Sequence, residues 1–483
     1  MRSNHWRENA LANDMCSSAG GAAAVFGLPV LLWTLFFVCN DKTGCPAPAT
    51  LSPSTLTLDK LKADTPWPAN GIWELCSWEV MGWTLAYYLL SLVLYRILPA
   101  QELLGTKLVQ SGRPLTYRFN SFSSTVVQLV ALAIGTCFQG ADFIVWTYIA
   151  DHYLQLLTAN IILAYAISVY VYVDSFSVKL GNPELRELAV GGNTGSLIYD
   201  FWIGRELNPR VTLPLFGEVD LKSWLEMRPG LTGWMMLNLA FCAKQYRAYG
   251  YLSDSIIVTT AFQAYYVLES QLWEADLLTM MDVTTDGLGF MLSFGNIAWV
   301  PFLYSTQARY LAVYPVQLGW AGCAGVTIVF AIGFYIFRSA NNQKKLFRRQ
   351  PYHPSVKDMP FIQAKRGTRL LTGGWWGKSR HINYFGDWLQ GWPFSLPTGI
   401  AGYQIISAGS GVPGAFAMLD GREVVHGAAR GWGMVFTYFY LLYFAILLLH
   451  RERRDDAACS EKYGEDWDKY KNVVRWKILP GVY

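Results

Sequence analysis

The sequence is short of charge. Only 15% of its 483 residues are Asp, Glu, Lys or Arg, against roughly 25% in soluble globular chains. That deficit argues against a soluble enzyme of several domains and for membrane integration. Net charge is scarce too: 39 basic against 35 acidic residues leave +4, too little for a nucleic-acid binder. The eight cysteines form no C-x-x-C pair, which excludes a zinc ribbon and a dithiol redox motif. No Asn-x-Ser/Thr acceptor occurs, the N-terminus has no signal-peptide pattern, and no internal repeat is evident. One string, Gly409 to Gly414, reads G-x-G-x-x-G. It lacks the preceding strand and following helix of a dinucleotide fingerprint and reads as a turn.

What the chain has instead is apolar length. Hydrophobic residues make up 52% and aromatics 15%, which excludes disorder. A membrane-spanning helix needs about 20 mostly apolar residues, and about ten segments approach that. They are Gly20–Cys39, Trp78–Leu98, Ser124–Phe138, Leu156–Val173, Leu231–Ala243, Ser255–Trp273, Leu288–Tyr304, Val316–Phe337, Gly386–Ile406 and Gly431–His450. The fold expected is all-α, a polytopic integral membrane protein of about ten spans.

The placement of charge sets the orientation. Arg338–Arg380 holds eleven Lys and Arg against one acid, Asp358, as short cytosolic connections do. With ten spans, that stretch, the Arg96–Arg118 loop and both termini share the cytosolic side. The opposite side receives Asn40–Ile72, where Cys39 and Cys45 flank a loop and either pair in an oxidising lumen or remain free thiols. Three portions are expected: a cytosolic segment 1–18, a transmembrane portion 19–337, and a C-terminal portion 338–483 that includes the last two spans.

Polar groups crowd the C-terminal third. Gly374-Trp-Trp-Gly-Lys-Ser-Arg-His-Ile-Asn-Tyr-Phe-Gly-Asp387 runs into a membrane-embedded stretch, and His450-Arg-Glu-Arg-Arg-Asp455 follows the last span. Arg451 and Asp455, four apart, share one helix face. An interfacial anchor of Trp, Tyr and Arg explains the aromatics, but not Asn383, Asp387 and Asp455 together at a membrane border, where polar groups are costly unless held.

These strings resemble the C-terminal signatures of the sterol reductase family. The resemblance extends through Gly204-Arg-Glu-Leu-Asn-Pro-Arg210, Met281-Asp-Val-Thr-Thr-Asp-Gly-Leu-Gly-Phe-Met-Leu-Ser-Phe-Gly295 and Phe337-Arg-Ser-Ala-Asn-Asn-Gln-Lys-Lys-Leu-Phe-Arg348. Thr285–Leu292 and Asp151–Asn160 look most like the fungal Δ14 branch. Departures include Asn120-Ser121, His381-Ile-Asn383 and a long insert near Ser407–Arg430. The resemblance implies NADPH as cofactor, a sterol taken from the bilayer, an endoplasmic-reticulum membrane location and no nucleic-acid partner. By that resemblance Trp376, Asn383, Tyr384, Asp387, Asp455, Cys459, Tyr463 and Tyr470 hold parts of the cofactor.

Lys344 and Arg348 stand one helical turn apart, suited to the phosphates of NADPH, and Arg451, Arg380 and Lys378 are candidates to complete the clamp. His381 is weaker and reads equally as a helix cap. Reducing an 8,14-diene requires a proton at C15, then hydride at C14, so a carboxyl in a dry pocket is needed as donor. Glu269, with Tyr266 three residues before it, is the first candidate relay. Asp286, with Asp282, competes, and pairing of Glu269 with Lys244 or Arg247 is the structural alternative. Other activities weighed are Δ7 or Δ24(28) reduction, isoprenylcysteine-type methyl transfer, and a non-catalytic scaffold.

Overall fold

A computed structural model describes residues 18–108, 111–179 and 185–483. Cys16 and nearly all of the expected segment 1–18 lie outside the described residues. Most of the chain is helical. Among the described residues, six stretches are long and apolar enough to cross a membrane: Ser18–Val38, Gly71–Ile97, Ser121–Asp142, Tyr153–Ser177, Gly319–Arg349 and Met434–Tyr463. The sequence encodes their ends. Ser77 Oγ accepts from Val80 N at 3.5 Å where the helix Trp78–Ile97 starts, satisfying one of the free N–H groups of its first turn.

Of the four other expected spans, two are continuous helices and two take shorter or interrupted forms. Leu231–Tyr249 and Asp254–Leu272 are helices of 19 residues each. The segment expected over Leu288–Tyr304 is Phe290–Phe294, a π-helical turn Gly295–Trp299, then Val300–Tyr304. Another π-helical turn, Glu226–Gly230, contains Pro229, whose missing N–H the wider turn accommodates. The two π turns meet closely: a Cβ on Gly230 would lie 2.6 Å from the Asn296 carbonyl oxygen. The ninth segment is α-helical only over Ile382–Ser395, with a 3-10 turn Leu396–Thr398 after it. Pro397, and Gly399 with φ +60°, end it before a strand at Tyr403–Ile406.

Small antiparallel sheets join the helices, which an all-α reading omits. One has the strand order β1 (Gly44–Cys45), β8 (Tyr403–Ile406), β10 (Glu423–Val425), β9 (Phe416–Ala417). The insert near Ser407–Arg430 thus folds back against the Cys39–Cys45 loop, and those two cysteines form a disulfide. Among the described residues there are also three hairpins: β2 and β3 (Gln101–Lys107, Pro114–Phe119), β4 and β5 (Arg210–Leu213, Gly217–Asp220), and β6 and β7 (Phe361–Gln363, Arg369–Leu371).

The described chain forms two compact units. One runs to Val316 and includes Ile400–Thr437; the other comprises Gln317–Gly399 and Tyr438–Tyr483. The first is organised around a buried guanidinium. Arg228 donates to Asn120 Oδ1 at 2.6 Å, stacks over Tyr95 and lies 3.6 Å from Glu274 Oε1. Glu274 in turn accepts from Ser121 N at 2.9 Å, and Asn120 Nδ2 donates to the Tyr95 carbonyl at 3.0 Å. Burial pulls the Arg228 pKa down and the Glu274 pKa up, each opposed by the other's charge.

In the second unit, the helices Gly319–Arg349 and Ile382–Ser395 cross at glycine. A Cβ on Gly386 would lie 2.6 Å from Phe337 N, and one on Gly333 2.5 Å from Gln390 N. Small residues permit this backbone approach. Gly386→Val is expected to destabilise the protein by about 1–3 kcal/mol, read as a lower unfolding temperature in detergent. An unchanged unfolding temperature would show that this contact is dispensable.

Candidate functional site

All eleven residues expected at the cofactor fall in the second unit. Lys344 and Arg348 occupy the last two turns of Gly319–Arg349, where the 3.6-residue period puts both on one face. Lys344 Nζ sits 3.9 Å from the Trp376 ring centroid. Trp376 is buried in the turn Gly374–Gly377, its indole N–H donating to the Ala340 carbonyl at 2.9 Å. The ring is therefore fixed by the helix that carries Lys344. Gln343 Oε1 accepts from Trp375 N at 2.9 Å and ties the same turn down.

The helix Ile382–Ser395 brings the polar wall. Asn383 Oδ1 is buried without a hydrogen-bond partner, so a donor is needed to complete it. Asp387 Oδ1 accepts from Gln390 Nε2 at 3.0 Å and feels the charge of Arg451. Asp455 Oδ2 lies 3.6 Å from His381 Nε2, and Lys344 and Arg348 both act on its carboxylate. The His381 ring stacks on Tyr384 at 4.9 Å. Its side chain makes no capping hydrogen bond to the helix it precedes, so the capping reading is not what the geometry shows.

Cys459, Tyr463 and Tyr470 form the far side, around a packed cluster of Trp467, Tyr470 and Val474. Tyr470 stacks on Trp467 at 4.9 Å and is buried. Arg380 is engaged by the C-terminal tail. Its guanidinium donates to the Val474 and Arg475 carbonyls at 3.1 and 3.2 Å, and faces Glu452 at 3.9 Å and Asp456 at 4.0 Å. It is a latch for the C-terminal tail, and the exposed Lys378 lies over the Trp375 ring. Glu452, fully buried, also takes Lys477 at 3.4 Å. Its one signal in the sequence is a single acid inside a run of arginines.

The proton-donor candidates lie in the first unit. Tyr266 and Glu269 are half-buried on the helix Asp254–Leu272, and the Tyr266 ring is 6.1 Å from Trp234. Lys244 is engaged by Asp41, and Arg247 faces Asp151 at 4.0 Å. Asp286 is 4% exposed, in a turn after the short helix Met281–Thr284. Asp282 lies in that helix and Asp286 beyond its end.

Burial, with Lys344, Arg380 and Lys477 nearby, brings the His381 pKa down to about 3. The imidazole is neutral at physiological pH. Because the folded value lies below the unfolded one, the native state binds fewer protons, and stability falls as pH drops below the unfolded value. Between pH 7 and pH 5 this group contributes a loss of about 2 kcal/mol. His381→Gln is expected to lose correspondingly less stability over that interval in pH-dependent unfolding.

Comparison with known proteins follows the same outline. The model of the Ergosterol biosynthesis ERG4/ERG24 family matches residues 13–483. The Delta(14)-sterol reductase ERG24B of Gibberella zeae is 64% identical over 466 residues, covering 96% of this chain and 97% of that protein. The Delta(14)-sterol reductase of Neurospora crassa is 59% identical over 464 residues, 96% of this chain and 94% of its own. The Delta(14)-sterol reductase erg24 of Schizosaccharomyces pombe is 37% identical over 468 residues, with 96% of each chain covered. Matched over nearly its whole length, the chain belongs to the ERG4/ERG24 family of ergosterol biosynthesis.

Proposed function

We propose that this chain is a Δ14-sterol reductase, reducing the C14=C15 bond of 8,14-diene sterols with NADPH in an endoplasmic-reticulum membrane. The observation that carries this reading is the 64% identity, end to end, with a protein bearing that name. Ten spans with both termini cytosolic fit the charge placement, with segment 1–18, a sterol-binding portion 19–337 and a cofactor-binding portion 338–483.

The second unit's residues fit a phosphorylated dinucleotide. Lys344 and Arg348 offer cations on one face, Trp376 an aromatic wall beside Lys344, and Asn383 a buried acceptor lacking a donor. Asp387, Asp455 and Tyr384 supply further polar groups for ribose and amide, and Arg451 charge beside Asp387. Cys459, Tyr463 and Tyr470 close the apolar side. A bound NADPH supplies the hydride that C14 receives.

The protein's own chemical task is the proton. Glu269 gives its proton to C15 while Tyr266, three residues earlier on the same helix, holds and replenishes it. The C14 cation left behind is then quenched by hydride, and both electrons of the new C14–H bond come from that hydride. Asp286 is the second candidate for the proton, its own burial being the observation in its favour.

Membranes containing the protein, given NADPH and separate Δ8,14, Δ7 and Δ24(28) sterol substrates, are expected to reduce the first. Failure on the 8,14-diene with turnover of another substrate would reassign the regiochemistry. Lys344→Ala with Arg348→Ala is expected to raise the NADPH KM at least ~10-fold, as charge-assisted phosphate contacts are lost. An unchanged KM would sink the phosphate assignment.

Glu269→Gln is expected to lower kcat by about 10²–10⁴ with the NADPH KM unchanged. Should Asp286→Asn show that loss and Glu269→Gln not, the donor is Asp286.

A further inference from the structure

One buried cation is used by none of the roles above. Lys222 is 0% exposed, on a short helix, Leu221–Leu225, that begins where Asp220 Oδ1 accepts from Ser223 N at 2.9 Å. Its Nζ donates to three backbone carbonyls: Leu207 at 2.5 Å, Asp282 at 2.5 Å and Asp286 at 2.6 Å. An ammonium has three N–H donors and no acceptor, so its whole capacity is spent on the main chain.

Those carbonyls come from two segments that the sequence marks separately. Leu207 belongs to Gly204–Arg210; Asp282 and Asp286 belong to the turn leading into Phe290. Other bonds join the same segments: Leu288 N donates to the Glu206 carbonyl at 3.0 Å, and Asn208 Nδ2 to the Val283 carbonyl at 3.1 Å. Gly204, with φ +96°, packs so tightly that a Cβ there would lie 2.3 Å from Gly289 N. Beyond the turn, the buried Phe290 ring meets Tyr165 at 4.5 Å and Phe294 at 5.0 Å.

Taking an ammonium out of water is costly, and an apolar side chain would fill the space without that cost. What only the ammonium supplies is three directed bonds that fix two segments at once. We infer that Lys222 is a positioning residue for sterol reduction: its ammonium sets the Asp282–Gly289 turn, and through it Asp286 and the aromatic wall at Phe290. The inference rests on the reading of the chain as a sterol reductase.

The ionisable groups acting on Lys222 are the carboxylates of Asp220, Asp282, Asp286 and Glu226. Burial outweighs their attraction and brings the amine down to about 8. As pH rises through that value, the amine loses its charge and one of its three donors. The turn is then less firmly held on the alkaline side.

The test uses the full chain in detergent or nanodiscs, with an 8,14-diene sterol and NADPH. Lys222→Met is expected to lower kcat about 100-fold and raise the sterol KM, with the NADPH KM unchanged. Wild type is expected to lose sterol kcat/KM above about pH 8, a limb that Lys222→Arg lacks because guanidinium stays charged.

A mere loss of folded protein scales kcat and leaves both KM values and the pH profile in place; that result overturns the inference. Wild-type kinetics in Lys222→Met overturn it equally. If the Met variant does not accumulate, superimposable pH profiles of wild type and Lys222→Arg, or a flat wild-type profile, overturn it. Should wild type fail on the 8,14-diene, the Δ14 reading has failed instead, and the same comparison is made with the sterol that wild type reduces.

Discussion

The first unit turns on a guanidinium that water does not reach. Arg228 ties a π-helical turn to the Tyr95 end of one helix and the Asn120 start of the next, while Glu274 neutralises it and holds Ser121 N. Removing one member leaves the other charge buried and uncompensated, at a cost of about 3–5 kcal/mol. The π turn that carries Arg228 packs against the second π turn at Gly230 and Asn296, so the network sets where both irregular helices lie. Lys222 repeats the device six residues earlier, spending a cation on carbonyls instead of on a carboxylate.

The second unit divides its cations between two tasks. Lys344 and Arg348 both act on Asp455, whereas Arg380 is committed to the C-terminal tail, the buried Glu452 and the partly exposed Asp456. Glycine-to-glycine packing of Gly333 against the Gly386 turn brings Asn383 and Asp387 to the helix that bears Lys344. Eleven basic residues between Arg338 and Arg380 thus comprise orienting charges, binding candidates and one structural latch.

Much of this was legible in the residues. Apolar length marked the long helices, because a bilayer leaves a chain few ways to satisfy its backbone. Helical spacing put Lys344 with Arg348 and Tyr266 with Glu269 on common faces. Leu288–Tyr304 reads as one apolar run, and nothing in hydropathy announces the π turn within it. Lys222 is a single lysine in Val-Asp-Leu-Lys-Ser-Trp, a pattern that reads as a solvated surface.

The sequence by itself determined that the chain is a membrane protein and its family, since composition, apolar length and motif strings are local properties. Only the tertiary structure decided what each charge does. Arg380 and Lys344 are equally basic as letters, yet one is satisfied by carbonyls of residues nearly a hundred positions away and the other stands against an indole. It also decided between bridged and free thiols at Cys39 and Cys45, in favour of the bridge. A charge in a low-dielectric interior takes its role from the partners that folding brings to it, and those partners lie far along the chain.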